Sequence, residues 1–473
     1  MRGPNGVAPS APLSRRFPPH VAFLWIAGIN LMLLCVLMPP FQVHDEFQHL
    51  FRSYQIGTGV LLGPTRHGIP GGVIPISLRE LVRRDWGTLQ LWRIELPGRH
   101  PLLTTWRGFD QPLRPARTRY TEFLTAGYAP VLYVPQAIGV GLGRLLGVSP
   151  LALLLLGRIA NAAAALVAIG FALRRMPFGA APALAFALLP GAQIEFASVA
   201  PDASIIAAGF VLTALVLDSN RHGGWSRTDT IIGAISAVIL GCKLVYLPMM
   251  ALGAPGIWRE VRRAGWRGAW SGRLLLPQLL IAVAGTGFGL IWFLLTAGHL
   301  STPDSTHHAI ITKSLTILTH PLPFLGLLAA DIRIHGMRYL LDFIGILGAR
   351  TLLLPPFVYV LGLTSLILGF AVSSVAGNPR RAVDSGWYLF VAVVSVMLIQ
   401  TAMYLLNAKP GVWRIIGVQG RYLLPLAGMI AVAGTSFRRK EWRSSAGYAA
   451  FLGVLAATTL GLDIGTIAGF HLL

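Results

Sequence analysis

Residues 21–38 read VAFLWIAGINLMLLCVLM, an unbroken apolar run followed at once by PPFQVHDEFQHLFRSYQIG at residues 39–57. A helix of roughly 20 apolar residues is long enough to cross about 30 Å of hydrocarbon. A cleaved signal peptide is the competing reading, and it is weaker because no small-x-small site follows the run; Pro39 and Pro40 do. Arg15 and Arg16 precede the run, so residues 1–20 are expected to form a cytoplasmic tail and the helix to cross outward. The adjacent acids Asp45 and Glu46, flanked by His44 and His49 and followed by Arg52, then stand where the first membrane helix surfaces.

Similar apolar runs recur to the end of the 473-residue chain, which is 54% hydrophobic and only 12% charged, with a mean hydropathy of +0.64. Soluble domains carry about 25% charged residues, so that class is excluded. Outer-membrane barrels show short alternating segments, and none are present. The expected fold is an all-α polytopic membrane protein. The net charge of +21 sits in short basic clusters between apolar runs. That is the pattern of cytoplasmic loops facing anionic membrane lipids, not of a nucleic-acid surface. The two cysteines, Cys35 and Cys242, lie in or beside apolar runs, so neither a disulfide nor a Cys-rich metal site is expected.

Residues 39–125 form one long hydrophilic segment, expected to be extracytoplasmic, within a single transmembrane domain covering 21–473. Loops of that length are usually functional. Spans are expected at Leu151–Leu173, Gly179–Ala197, Ala203–Leu217, Leu274–Leu295, Leu352–Val372, Trp387–Leu406, Tyr422–Ala433 and Ala446–Phe470. Ile231–Ile257 reads as a pair of short helices turning at CKLVYLP, or as one tilted span. The total is about 11 crossings with the C-terminus outside. Three stretches leave the helix count open: 127–150, read as interfacial or re-entrant, 228–258, and 315–350.

On this topology the unusual polar residues gather near the outer interface. Asp45, Glu46, His49 and Arg52 follow the first helix, and Asp202 starts a later one. Lys243 and Tyr246 lie at a turn, and Arg414, Gln419, Arg421 and Tyr422 precede the penultimate span. Ionisable groups beside a bilayer are costly unless paired, solvated or functional. Three readings of Asp45 and Glu46 stand side by side: a general base for a hydroxyl, a divalent-metal site with the neighbouring histidines, or a helix cap. Lys243 and Arg421 suit a lipid phosphate, against simple snorkelling of long basic side chains. Asp202 is a substrate-site candidate or an N-cap. His307 and His308 lack further ligands at metal-site spacing. GVGLGRLLG lacks the strand that a nucleotide-binding loop needs, and no Walker motif is present. Trp25, Trp86, Trp92 and Trp106 suit membrane interfaces.

The motifs DEFQH, GYAPVLYVPQAIG, GRIANA, LLPGAQIEFASVAPDA, GCKLVYLP and above all IGVQGRYLLP occur in this order along the chain. Together they resemble the bacterial membrane-protein family labelled domain of unknown function 2142. In that family the first motif often carries Pro after the Glu, where this chain has Phe47. The family in turn resembles the GT-C superfamily of integral-membrane glycosyltransferases. That resemblance implies a GT-C-like bundle in the bacterial inner membrane, with an acid in the first extracytoplasmic loop. The implied donor is a sugar on a polyprenyl phosphate, and the acceptor a cell-envelope glycan or lipid. Asp45 matches the catalytic acid by position, with Glu46 second. Asp45 would then deprotonate the acceptor with inversion at the anomeric carbon, and Lys243 or Arg421 would match the leaving phosphate. No cofactor is required, although a divalent ion at Asp45 and Glu46 is compatible.

A transporter or flippase of lipid-linked glycans, and a non-catalytic subunit of an envelope-assembly complex, are the alternatives. Transporters bind near the midplane between internal repeats, whereas no repeat is visible here and the polar residues gather at one face. Reporter fusions test the topology directly. Gly98 is expected outside and Arg221 inside; a cytoplasmic signal at Gly98 removes the extracytoplasmic site altogether.

Overall fold

The computed structural model describes residues 17–92, 108–297, 307–348, 351–373, 379–409, 411–435 and 445–472. Arg15, Arg16, Gly98 and Trp106 lie outside the described residues.

Backbone polar groups in hydrocarbon must bond within their own segment, and the apolar runs accordingly form helices. Pro19–Leu37 (α1) leads to Glu46–Gly57 (α2), strands Thr65–Arg66 (β1) and Ile69–Pro75 (β2), helix Ile76–Trp92 (α3) and strand Thr118–Glu122 (β3). Then come Val134–Leu145 (α4), Pro150–Arg175 (α5), Ala180–Ala187 (α6), Pro190–Phe196 (α7), Asp202–His222 (α8) and Arg227–Gly241 (α9). Ala254–Ser271 (α10), Leu275–Thr296 (α11), His307–Thr319 (α12), Pro321–Ile344 (α13) and the strand pair Ile346–Leu347 (β4) and Leu352–Leu353 (β5) follow. Pro356–Val372 (α14), Pro379–Asn407 (α15), Ala427–Thr435 (α16) and Ser445–Ile467 (α17) complete the order.

The protein is an all-α polytopic membrane protein. Among the described residues six helices, α1, α5, α8, α11, α15 and α17, are long and apolar enough to cross a membrane. The other expected crossings are shorter or broken. The run at Gly179–Ala197 is split between α6 and α7, where Pro190 opens the second piece. Of the expected pair in Ile231–Ile257, the first member is the 15-residue α9. Its partner is a 3₁₀ run, Leu244–Ala251, interrupted by Pro248. The span expected at Tyr422–Ala433 is a second 3₁₀ run, Gly420–Leu426, followed by α16. In the ambiguous 315–350 stretch α12 and α13 meet at a bend of 103°. The 127–150 stretch, which follows the 3₁₀ turn Leu124–Gly127, forms one further 3₁₀ turn, Pro130–Tyr133, and the 12-residue α4, too short to cross alone.

α8 is the axis of the bundle, its apolar stretch almost wholly buried in the protein. α5 packs on it in parallel and α9 antiparallel, and one end of that trio is tied by charge. Arg175, at the end of α5, lies 2.7 Å from Asp218 of α8 and 2.8 Å from Asp229 of α9. α9 packs on α11 at unusually short range. A Cβ at Gly241 would stand 2.1 Å from the Gly285 carbonyl oxygen, and one at Gly289 2.3 Å from that of Gly241. This is the close backbone approach that small residues four apart permit between membrane helices.

The long first loop is folded rather than extended. β1, β2 and β3 form an antiparallel sheet in which Gly71 pairs with Glu122 and Pro75 with Thr118. Phe41, Leu50, Phe51, Ile74, Leu78 and Phe123 form a second hydrophobic core, packed on Val140, Leu151 and Leu154. This small unit sits on the start of α5.

One buried ion pair fixes it there. Arg158 of α5 and Glu46 of α2 are both fully buried. Arg158 Nε donates to Glu46 Oε1 at 2.8 Å and Nη2 to Oε2 at 2.6 Å. The same guanidinium donates to the carbonyls of Cys35, Met38 and Pro39, and the Phe41 N–H donates to Glu46 Oε2. Removing one partner leaves a buried charge uncompensated, a cost of about 3–5 kcal/mol. Glu46→Ala and Arg158→Ala are each expected to lower the melting temperature of the detergent-solubilised protein strongly, and the double variant to lose well under the sum. Full additivity would show that the two side chains do not act as a unit.

Candidate functional site

Four charged residues from four separate chain segments meet at the end of the bundle opposite Arg175. Asp202 opens α8, where a carboxylate is favoured by the helix dipole. Lys243 stands just past the end of α9, Glu195 lies on α7, and Arg421 lies in the 3₁₀ run before α16. Lys243 Nζ donates to Asp202 Oδ1 at 2.7 Å. Arg421 Nη1 donates to Glu195 Oε1 at 3.0 Å and lies 3.7 Å from Asp202 Oδ2. Two acids and two bases therefore form one chain of alternating sign. Opposite charges in mutual contact lower the cost of keeping all four out of water.

Aromatic groups enclose the chain. The Tyr422 ring lies 5.4 Å from Lys243 Nζ and 5.7 Å from the Arg421 guanidinium, within cation–π range. The Tyr246 hydroxyl donates to the Tyr422 carbonyl at 2.8 Å. His49 Nδ1 and the Tyr133 hydroxyl are 2.8 Å apart. Burial, the largest influence on His49, pushes its imidazole down to about 3 even though Asp202 and Asp45 act to raise it. His49 is thus a neutral hydrogen-bonding group, not a cation for a phosphate.

A cleft opens beside the cluster. It is lined by Gln42, Val43 and His44 from the loop after α1, by Gly191, Ile194 and Glu195 of α7, and by Asp342, Ile346 and Arg421. The Asp342 carboxylate accepts the Gly420 N–H at 2.6 Å and so sets the backbone that carries Arg421. That approach requires glycine: a Cβ at position 420 would stand 2.2 Å from the Tyr339 carbonyl oxygen.

Asp45 directly follows His44. It is the N-cap residue of α2 with φ 59°, yet its side chain makes no capping hydrogen bond. Its carboxylate instead lies 3.3 Å from His44 Nε2 and accepts from Gln48 Nε2 at 3.1 Å. The cap reading of Asp45 therefore lacks its defining bond. Phe41, four residues earlier, has φ 63°. Two non-glycine residues in this left-handed region within five positions mark a strained segment, of the kind that gathers at functional sites.

Several site expectations move. Both Glu46 oxygens are held by Arg158, so Glu46 is a structural anchor rather than a second base. Asp45 and Glu46 accordingly offer a divalent ion only one uncommitted carboxylate. Among the described residues no group of three or more His, Cys, Asp and Glu is placed to hold a metal. Arg52 is buried and committed to the loop itself, donating to the carbonyls of Tyr128 and Leu61 and to Gln55. Arg414 is exposed, and among the described residues its side chain pairs with none of the cluster. Gln419 is buried next to the cluster. Glu195, Asp342 and Arg158 were not singled out from the sequence. Each is an ionisable residue inside or beside an apolar run, and that was the available signal.

A family model described as "Predicted membrane protein (DUF2142)" matches residues 29–430, most of the chain, which therefore belongs to that family. No curated protein and no solved structure matches it.

The neutral, buried His49 makes a testable demand on pH. Its folded value lies far below the ordinary 6.5, so unfolding takes up a proton between the two. The His49 contribution to stability is complete above about 6.5 and is lost as pH falls toward the folded value. Between pH 6.5 and 5, before most carboxylates titrate, the wild-type melting temperature is expected to fall more steeply than that of His49→Gln. Parallel curves would mean that His49 is not held neutral.

Proposed function

We propose that this protein is an integral-membrane glycosyltransferase. It moves a sugar from a polyprenyl-phosphate donor to an extracytoplasmic cell-envelope glycan or lipid acceptor. The observation that carries this reading is the junction of two unlike elements at one end of the bundle. A paired charge cluster held by broken membrane segments adjoins the strained acidic loop that leaves the first helix. A lipid-linked donor keeps its chain in the bilayer and presents phosphate and sugar at the interface, which is where such a junction is useful. The family match supports a membrane protein, and the resemblance of that family to the GT-C superfamily suggests the reaction.

Asp45 accepts the proton of the acceptor hydroxyl as that oxygen bonds to the anomeric carbon. The bond from that carbon to the phosphate oxygen breaks, and its electron pair leaves with the polyprenyl phosphate, inverting the centre. Charge gathers on the phosphate as the bond breaks. Lys243 is the cation available to match it, already positioned by Asp202. Preorganisation lowers the cost of reorienting these dipoles during reaction. The neutral His49–Tyr133 pair and Tyr246 line the buried side and limit the water that competes with the acceptor.

The test is mass spectrometry of surface and lipid-linked glycans in wild type, a deletion strain and an Asp45→Asn strain whose protein reaches the membrane. Loss of the same sugar in deletion and variant, with the shortened glycan still at the surface, is expected. Complete glycans trapped on the inner leaflet would identify a transporter instead. Normal glycans in Asp45→Asn would remove Asp45 from the chemistry.

A further inference from the structure

Glu195 stands apart from the other three charges of the cluster. Its side chain is buried, only one carboxylate oxygen is used, and the residue lines the cleft. Oε2 has no hydrogen-bond partner among the described residues. Arg421, on the same cleft wall, likewise has its Nε without one, as does Gln419 at Oε1. A buried polar atom left unsatisfied costs about 1–3 kcal/mol, and more when charged. Such atoms are rare in native structures, and here two of them belong to one ion pair whose two residues both line one cleft.

The chemistry of the two atoms narrows the ligand. A carboxylate oxygen only accepts, so it calls for an O–H or N–H. The guanidinium Nε–H only donates, so it calls for an oxygen. A phosphate would satisfy Arg421 but be repelled by Glu195. An ammonium would satisfy Glu195 but be repelled by Arg421. An apolar group would leave both atoms unpaired. A neutral pair of adjacent hydroxyls satisfies both, one hydroxyl donating to Oε2 and the neighbouring oxygen accepting from Nε.

We propose that Glu195 and Arg421 form a hydroxyl-reading subsite that selects a neutral sugar by an adjacent diol. This rests on the transferase reading and adds to it: Glu195 is a specificity-determining residue, and the cleft at Gln42–His44 and Asp342 receives the sugar ring. Because the discrimination comes from leaving buried partners unpaired, it is steep. A site built to bond a hydroxyl rejects the analogue that lacks it far more strongly than an apolar pocket rejects an extra methylene.

The experiment uses the full chain in nanodiscs and two separate probes. Saturation-transfer NMR with the methyl glycosides of mannose, galactose and rhamnose, and with their singly O-methylated and deoxy forms, reads the sugar side. Native mass spectrometry with undecaprenyl phosphate reads the lipid side. Wild type is expected to bind at least one glycoside and to lose about tenfold or more when either hydroxyl of one adjacent pair is removed. Glu195→Gln, nearly isosteric with the native side chain, is expected to lose that preference while retaining undecaprenyl phosphate within about twofold. The deoxy series on wild type needs no variant, so a misfolded Glu195→Gln does not shelter the proposal. Undecaprenyl phosphate bound by a wild type that is indifferent to every deoxygenation would overturn the subsite and leave the transferase standing. A Glu195→Gln protein that keeps the wild-type preference would overturn the subsite in the same way. A wild type that binds neither probe would take down the transferase reading, and the subsite with it.

Discussion

The ion pair between Glu46 and Arg158 is the constraint from which the rest of the site follows. A membrane helix that ends at prolines exposes its last carbonyls with nothing following to bond them. In this protein the carbonyl of Cys35 in the last turn, and those of Met38 and Pro39 just past it, are taken by a guanidinium from a neighbouring span. The positive charge at the negative end of α1 is favoured by the helix dipole, but a bare arginine there would carry a large desolvation cost. Glu46 supplies the counter-charge in bidentate geometry. One residue pair thus terminates α1, seats α2 and fixes the path of residues 39–45 between them. The loop that lines the cleft and the left-handed turn at Asp45 are consequences of that anchorage.

The adjacent acids at 45 and 46 therefore do different things because they face different surroundings. Glu46 is sealed and paired on both oxygens. Asp45 is partly exposed, is held among the described residues by Gln48 and His44, and adjoins the cleft through His44. Adjacent residues at the start of a helix project about 100° apart, so one can be committed to the bundle while its neighbour faces the aqueous side. A single acid at this position would have had to choose between anchoring the loop and serving the site.

Much of the architecture was legible because its signal is long. Apolar runs near 20 residues announce helices whatever their packing, and α1, α5, α8, α11, α15 and α17 fall where the hydropathy places them. The meeting of Asp202, Lys243, Arg421, Tyr246 and Tyr422 was also legible, since each interrupts or borders an apolar run at the same expected face. The folded first loop was not. Its sheet comes from short strands whose pairing spans some fifty residues, and no local periodicity encodes such a contact. The roles of Glu46 and Arg52 were hidden for the same reason, as their partners Arg158 and Tyr128 are close only in three dimensions. Glu195 was overlooked because an acid inside an apparent single span reads as an isolated anomaly until the break at Pro190 is seen.

Breaks unite the residues of the candidate site. Glu195 follows the interruption at Pro190, and Lys243 stands between α9 and a 3₁₀ run. Arg421 lies in a second 3₁₀ run that Pro425 disrupts, and Asp342 precedes the sharp turn at Gly345, where φ is 148°. Irregular backbone at membrane depth leaves polar groups that lipid cannot satisfy, so it persists only where protein or a water-filled cavity covers it. Three of these four residues line one cleft, and the fourth, Lys243, is tied to it through Asp202, which contacts Arg421. A continuous helix would have presented each charge to a single neighbour. Interrupted segments let three elements reach the same few ångströms from different directions. The loss of regular hydrogen bonding is offset by the alternating ion chain and by contacts such as Asp342 with Gly420. Proline and glycine in the motifs LLPG, KLVYLP and QGRYLLP are thus part of the site's chemistry, because they set where the charged side chains can converge.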